Sequence, residues 1–187
     1  MIELSYLFVD IRGSTPLAEE MSPDMYAALM NRFYTDATRV LVKSEAFIDK
    51  FVGDEVMAVY LPVFCGPNHA LAAVEAGRQL LEVSGPESGG GLPIGVGVNT
   101  GVCYFGTVKG VEGTFADVTA LGDPVNVCAR LAGAAGPGEA LVSEAACAAA
   151  GVDLSGCEAR SLVLKGKSDL TSVRVLKAAS PVALRAS

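Results

Sequence analysis

The stretch Ala46-Phe47-Ile48-Asp49-Lys50-Phe51-Val52-Gly53-Asp54-Glu55-Val56-Met57-Ala58-Val59-Tyr60-Leu61 decides the fold. Two apolar, β-rich runs flank Gly53-Asp54, and that arrangement predicts a hairpin turning at the Gly-Asp pair. Upstream, Ser22 offers a hydroxyl cap and Pro23 a first-turn proline. Leu29, Phe33, Ala37, Val40 and Leu41 then recur at helical spacing, so residues 22–42 read as a helix. Before it, residues 4–10 form a nearly continuous apolar run through Tyr6, Leu7, Phe8 and Val9, which predicts a buried strand ending at Asp10. Residues 11–15 read as a short loop containing Gly13. Downstream, Pro67-Asn68 opens a second helix with Leu71, Val74 and Leu81 on its apolar side. A Gly/Ser/Pro-rich loop at 85–91 and a strand at 93–98 follow.

The order β-α-β-β-α-β predicts an α+β fold with a ferredoxin-like core, an antiparallel sheet carrying both helices on one face. A C-terminal α/β extension completes it. Residues 102–108 read as a strand and 109–115 as an arm. Asp123 caps a helix, with Pro124 at its first position, that runs to about 134. Short strands are expected at 139–142, 161–164 and 173–176. One domain over 1–178 and a disordered tail over 179–187 are expected.

Composition narrows the function classes. Fourteen basic against 21 acidic residues give a net charge of −7, and aromatics are only 6%. A nucleic-acid partner would favour a basic, aromatic-studded face, and an anionic membrane surface would favour a basic one. No apolar run is long enough to span a membrane. Cys65, Cys103, Cys128, Cys147 and Cys157 include no CxxC pair, so neither a zinc knuckle nor a redox pair is suggested. They read as reduced core thiols of a cytoplasmic protein. His69, beside the second helix start, reads as a surface or capping residue.

Two carboxylates occupy unusual places. Asp10 ends a buried strand, and Asp54 sits at the hairpin tip beside which that strand lies in a ferredoxin-like sheet. Convergent carboxylates without a His cluster suit Mg²⁺ or Mn²⁺; as isolated residues they would equally serve as a loop cap and an Asx turn. Gly13, Ser14 and Thr15 offer backbone N–H groups ahead of a helix, a seat for phosphate. Asn126 and Arg130, four residues apart, share a helix face suited to ribose and phosphate, or simply to solvent.

The combination is more specific than its parts. Phe8-Val9-Asp10-Ile11-Arg12-Gly13-Ser14-Thr15, Lys50-Phe51-Val52-Gly53-Asp54, Gly95-Val96-Gly97-Val98-Asn99-Thr100-Gly101, Leu121-Gly122-Asp123-Pro124-Val125-Asn126 through Arg130, and Leu164-Lys165-Gly166-Lys167 occur in one order. Together they resemble the catalytic domain of class III adenylyl/guanylyl cyclases over nearly the whole chain. The resemblance implies metal ligation by Asp10 and Asp54 with the Ile11 carbonyl, and two Mg²⁺ or Mn²⁺ ions roughly 4 Å apart. It implies that Lys50 and Thr119 read the purine, Asn126 orients the ribose and Arg130 stabilises the transition state. Lys165, ahead of Lys167, is the expected phosphate-binding lysine. Lys with Thr implies ATP as substrate, cyclic AMP as product, and a bicarbonate-responsive subgroup. It further implies a head-to-tail homodimer in which one chain supplies the metal ligands and the other the remaining groups. The rival readings are a silent cyclase-homology domain that senses nucleotide or dimerises, and a guanylyl cyclase. The sequence departs from the family's pattern at Ser14, where Phe is common, and at Glu55, where small residues are common.

Overall fold

Strand β1 (Ile2–Ile11) is the spine of the molecule. The computed structural model describes residues 1–85, 91–110, 116–164 and 170–184. On one side β1 pairs antiparallel with β3 (Glu55–Tyr60), which closes the expected hairpin with β2 (Phe47–Val52). On the other side it pairs antiparallel with β4 (Ile94–Lys109). Helix α2 (Pro23–Lys43) starts where Ser22 accepts a hydrogen bond from the Met25 amide. Helix α4 (His69–Ser84) follows a short helix α3 (Pro62–Cys65) and a 3₁₀ turn (Gly66–Asn68), so it begins two residues later than Pro67 suggested.

The strand order β2-β3-β1-β4 is that of the ferredoxin-like core. Phe33, Val40 and Leu41 of α2 and Val74 and Leu80 of α4 bury together against Leu7, Val9, Val96 and Val98 on one sheet face. Each fully buried Leu, Val or Phe of this kind contributes about 1.5–3 kcal/mol of transfer free energy, which holds α2 and α4 to that face.

The extension adds β6 (Glu139–Ser143), parallel to β4, then β9 (Leu170–Leu176) and β8 (Glu158–Val163), both antiparallel. Helix α5 (Asp123–Ala134) covers the opposite sheet face, where Tyr6, Phe8, Met57, Val59, Val125 and Cys128 share a second core. Its seat depends on Gly97: a Cβ there would lie 2.4 Å from both the Ala132 nitrogen and the Cys128 oxygen. Only glycine lets the helix ride directly on the strand. Buried Asn99 ties the helix start down, donating to the Pro124 carbonyl at 2.8 Å and accepting from the Ser143 hydroxyl at 2.6 Å.

Several elements differ from the sequence reading. Ser14–Glu20 is a helix, α1, which begins inside the loop expected at 11–15 and continues over residues that carried no assignment. The separate runs at 93–98 and 102–108 are one strand, because Asn99, Thr100 and Gly101 pair with β1 without a break. The far end of β4 pairs with a strand the sequence reading lacked, β5 (Ala116–Leu121). Of the 109–115 arm, Lys109 pairs with Ala116, and 111–115 lie outside the described residues. Helix α6 (Glu144–Ala150), capped by the Ser143 hydroxyl, was also not expected. Within 179–187, β10 (Ala183–Leu184) pairs with β7 (Val152–Asp153), and 185–187 lie outside the described residues. No described helix is long and apolar enough to cross a membrane.

Candidate functional site

Asp10 and Asp54 meet at one corner of the sheet. Asp10 pairs with Glu55 across β1 and β3, and the Ile11 amide donates to the Asp54 carbonyl at 3.3 Å. The hairpin tip is braced from α2, where the Tyr34 hydroxyl donates to the Gly53 carbonyl and the Tyr34 ring packs 4.8 Å from that of Phe51. Gly13 holds φ +74 and so turns the chain from β1 into α1. That turn brings Ser14 to Asp54 as a hydrogen-bond donor.

The electrostatics of this corner are asymmetric. Burial pushes the Asp10 carboxyl up to about 7; the Asp54 and Glu55 carboxylates push the same way, against the Arg12 guanidinium. Burial works on Asp54 too, but hydrogen bonds from Ser14 and Asp10, its own backbone N–H and the Arg12 charge outweigh it. They hold Asp54 below the usual carboxylate range. Arg12 donates to Asp10 Oδ2 and, at 3.1 Å, to the Gly133 carbonyl at the end of α5. Asp10 Oδ1 is buried and accepts no hydrogen bond. A bare carboxylate oxygen beside a second carboxylate is a donor set that fits a hard cation. Among the described residues no three His, Cys, Asp or Glu side chains gather to hold a metal, so further ligands would be backbone or substrate oxygens.

Lys50 and Thr119 lie 69 residues apart in sequence but come together through β5. A bulge in β2 between Ile48 and Lys50 turns Asp49 out of the regular alternation. Asp49 Oδ2 accepts from the Thr119 hydroxyl at 2.7 Å, and Lys50 Nζ donates to Asp117 Oδ2 at 2.8 Å. Lys50 Nζ also stands 3.8 Å from Asp49 Oδ1. The bond it donates to Asp117, with the Asp49 charge, raises Lys50 above its ordinary value despite partial burial.

Asn126 and Arg130 project from the side of α5 opposite the Val125, Cys128, Leu131 and Ala132 face that packs on the sheet. Among the described residues neither side chain has a hydrogen-bond or ion-pair partner. Lys165 and Lys167 lie outside the described residues. Thr15 is exposed at the start of α1.

Three residues of this region escaped the sequence reading: Arg12, Asp49 and Asp117. The adjacent charges Asp49-Lys50 inside an apolar strand were the available signal, since regular alternation would have buried one of them. His69 is buried rather than on the surface; its Nδ1 lies 3.0 Å from the Ser5 hydroxyl, and burial lowers its basicity. All five cysteines are free thiols, three of them buried.

The family model for the adenylate and guanylate cyclase catalytic domain matches residues 2–176. An adenylate cyclase of Anabaena cylindrica is 30% identical over 136 residues, which are 70% of this chain and 27% of that protein. A terminal-differentiation-specific adenylate cyclase of Dictyostelium discoideum is 33% identical over 138 residues, or 6% of its length. The chain thus spans a minor part of both relatives. Among solved structures, the adenylyl cyclase CyaB from P. aeruginosa superposes with a TM-score of 0.79 at 30% identity, covering 94% of each chain. The guanylyl cyclase Cya2 superposes at 0.82 with 23% identity over 98% of each, a likeness of fold.

Proposed function

Because this chain belongs to the adenylate and guanylate cyclase catalytic domain family, we propose that it is an adenylyl cyclase converting ATP to 3′,5′-cyclic AMP and pyrophosphate, at sites shared between two copies of the chain. The observation that carries this reading is the corner of Asp10 and Asp54, with one buried carboxylate oxygen left unbonded. Asp10, Asp54 and the Ile11 carbonyl would hold Mg²⁺ or Mn²⁺. When bound, such ions lower the pKa of the ribose 3′-hydroxyl and neutralise phosphate charge.

The protein's own groups supply the positioning. The amides at Gly13, Ser14 and Thr15 face phosphate oxygens. Lys50 and Thr119 receive the adenine edge, Asn126 holds the ribose, and Arg130 meets charge growing on the α-phosphate. Lys165 binds phosphate. The 3′-oxygen forms the new bond to the α-phosphorus as the bond to the β-phosphate oxygen breaks. Holding those atoms in line is most of the task, so no nucleophilic side chain is needed.

Two features support a shared site. Among the described residues Asn126 and Arg130 have no side-chain partner on the outer side of α5, and apolar Phe51, Val52, Val118 and Leu121 stand exposed close in sequence to Lys50 and Thr119. A second copy would cover them and bring its own carboxylate corner. The test is an assay with ATP and Mn²⁺ across protein concentration, with products identified by mass spectrometry. Cyclic AMP and pyrophosphate are expected, with specific activity rising as dimers form. A folded chain that makes no cyclic nucleotide at any concentration would sink the reading.

A further inference from the structure

Asp49 sits between the two residues proposed to read the purine. Its side chain is fully shielded from solvent. One oxygen accepts the Thr119 hydroxyl proton at 2.7 Å, and the other, buried and without a hydrogen bond, lies 3.8 Å from Lys50 Nζ. The β2 bulge is what aims Asp49 at this place.

A free threonine hydroxyl is both donor and acceptor, so it would accept a 6-amino group and a 6-oxo group alike. An ionised carboxylate only accepts. Once Asp49 takes the Thr119 proton, the lone pairs of that hydroxyl are all that remains for a ligand. Lys50 is a donor only, and the adenine edge presents one acceptor, N1, beside one donor, the 6-amino group. A fixed donor next to a fixed acceptor matches adenine, whereas a 6-oxo purine brings an acceptor against an acceptor.

We propose that Asp49 is a specificity-determining positioning residue: by holding the Thr119 proton it makes that hydroxyl an obligate acceptor, and so selects 6-aminopurine over 6-oxopurine nucleotides. This rests on Lys50 and Thr119 forming the purine site.

The experiment compares kcat/KM for ATP and for ITP, which differ at the purine 6-position without the 2-amino group of guanine. In Asp49→Asn the side-chain amide can donate to Thr119 and turn its proton outward. The ATP:ITP ratio is expected to fall about tenfold, the scale of one hydrogen bond gained or lost. Asp49→Ala, which frees the hydroxyl without offering a donor, is expected to lower the ratio by a smaller factor. In a Thr119→Val background, where no hydroxyl remains to orient, adding Asp49→Asn is expected to change the ratio by less than about twofold. Competition of non-cyclisable ATP and ITP analogues against a fluorescent nucleotide reads the same ratio in any folded variant too slow to assay. A ratio that stays at the wild-type value in both Asp49→Asn and Asp49→Ala overturns the role of Asp49. So does an equal fall for both nucleotides, the mark of a merely structural residue. A wild-type chain that turns over ATP and ITP equally instead brings down the purine assignment of Lys50 and Thr119 itself.

Discussion

Asp10 and Glu139 are both nearly buried carboxylates at sheet positions, yet their surroundings are opposite. Glu139, at the start of β6, accepts from both terminal nitrogens of Arg160, from Lys177 Nζ and from the Gly136 amide, at 2.8–3.1 Å. Arg160 foremost, against the pull of burial, holds its carboxyl well down, to about 2. Asp10 has one guanidinium, a hydrogen bond shared with Asp54 and one oxygen that accepts nothing, and burial drives its carboxyl up. A structural carboxylate is saturated by the fold. An oxygen kept bare at a cost in stability, as on Asp10, is available to a group the chain does not supply. Asn126 and Arg130, without side-chain partners among the described residues, share this open character with Asp10, whereas Arg160 and Lys177 are engaged by Glu139.

The sharpest way to break that contrast is Asp10→Asn. Cyclisation is expected to fall by about 10³-fold or more, by analogy with the loss of a preorganised electrostatic contact. The metal-free Tm is expected to hold or rise, because a buried, half-satisfied carboxyl that burial already drives toward its neutral form gives way to a neutral amide. A large drop in Tm with activity retained would make Asp10 structural.

Arg130→Ala is expected to cost about 10²–10³-fold in kcat, with little change in Tm. Mixed in equal amounts with Asp54→Ala chains, it is expected to recover about a quarter of wild-type activity, since half of randomly paired dimers hold one intact site of two. If no mixture recovers activity, the bare groups on α5 do not serve a partner's corner.

The purine pair is tested by Lys50→Glu with Thr119→Cys, expected to shift the ATP:GTP ratio toward GTP by about tenfold or more. An unchanged ratio would place substrate choice elsewhere.

Glu139→Gln is the mirror image of Asp10→Asn. Losing the charge from these hydrogen bonds costs about 2 kcal/mol, or roughly 4–8 °C in Tm for a chain of this size. Cyclase activity below the new Tm is expected to persist. The smallest effect is one of pH. The folded carboxyl lies below its unfolded value of 4.5, so its contribution is present above about pH 4.5 and is lost as pH falls toward 2. Chemical denaturation across that window is expected to show a shallower loss of stability in Glu139→Gln than in the wild-type chain. Equal slopes would mean that Glu139 is no more saturated than Asp10.

Much of the fold was legible because its signals are local. The hairpin at Gly53-Asp54 and the cap at Ser22 each depend on a few neighbouring residues and stand where expected; the Asp123-Pro124 helix is present too, with Gly122 rather than Asp123 as its cap residue. Strand β5 was not legible. The run Ala116-Asp117-Val118-Thr119-Ala120-Leu121 mixes polar and apolar residues without a buried face of its own, and only pairing with the end of β4 makes it a strand. Helix α1, a seven-residue segment with no buried side chain, offered no periodicity to read. The convergence of Asp10 with Asp54 followed from topology, because antiparallel pairing of β1 with β3 leaves no other place for a hairpin tip.

The chain's own order of apolar runs, turn residues and motifs determined the βαββαβ core, the carboxylate corner and the family. Backbone preference and side-chain alternation act over a few residues and need no distant partner. Tertiary structure decided which polar atoms are satisfied. Thr119 meets Asp49 across 70 residues of chain, Lys50 meets Asp117 across 67, and Arg12 reaches Gly133 across 121. A hydrogen bond depends on position to within a few tenths of an ångström. Only the packed sheet, its bulge and the seating of α5 on Gly97 set distances that finely, and so only they separate the bare oxygen of Asp10 from the saturated ones of Glu139.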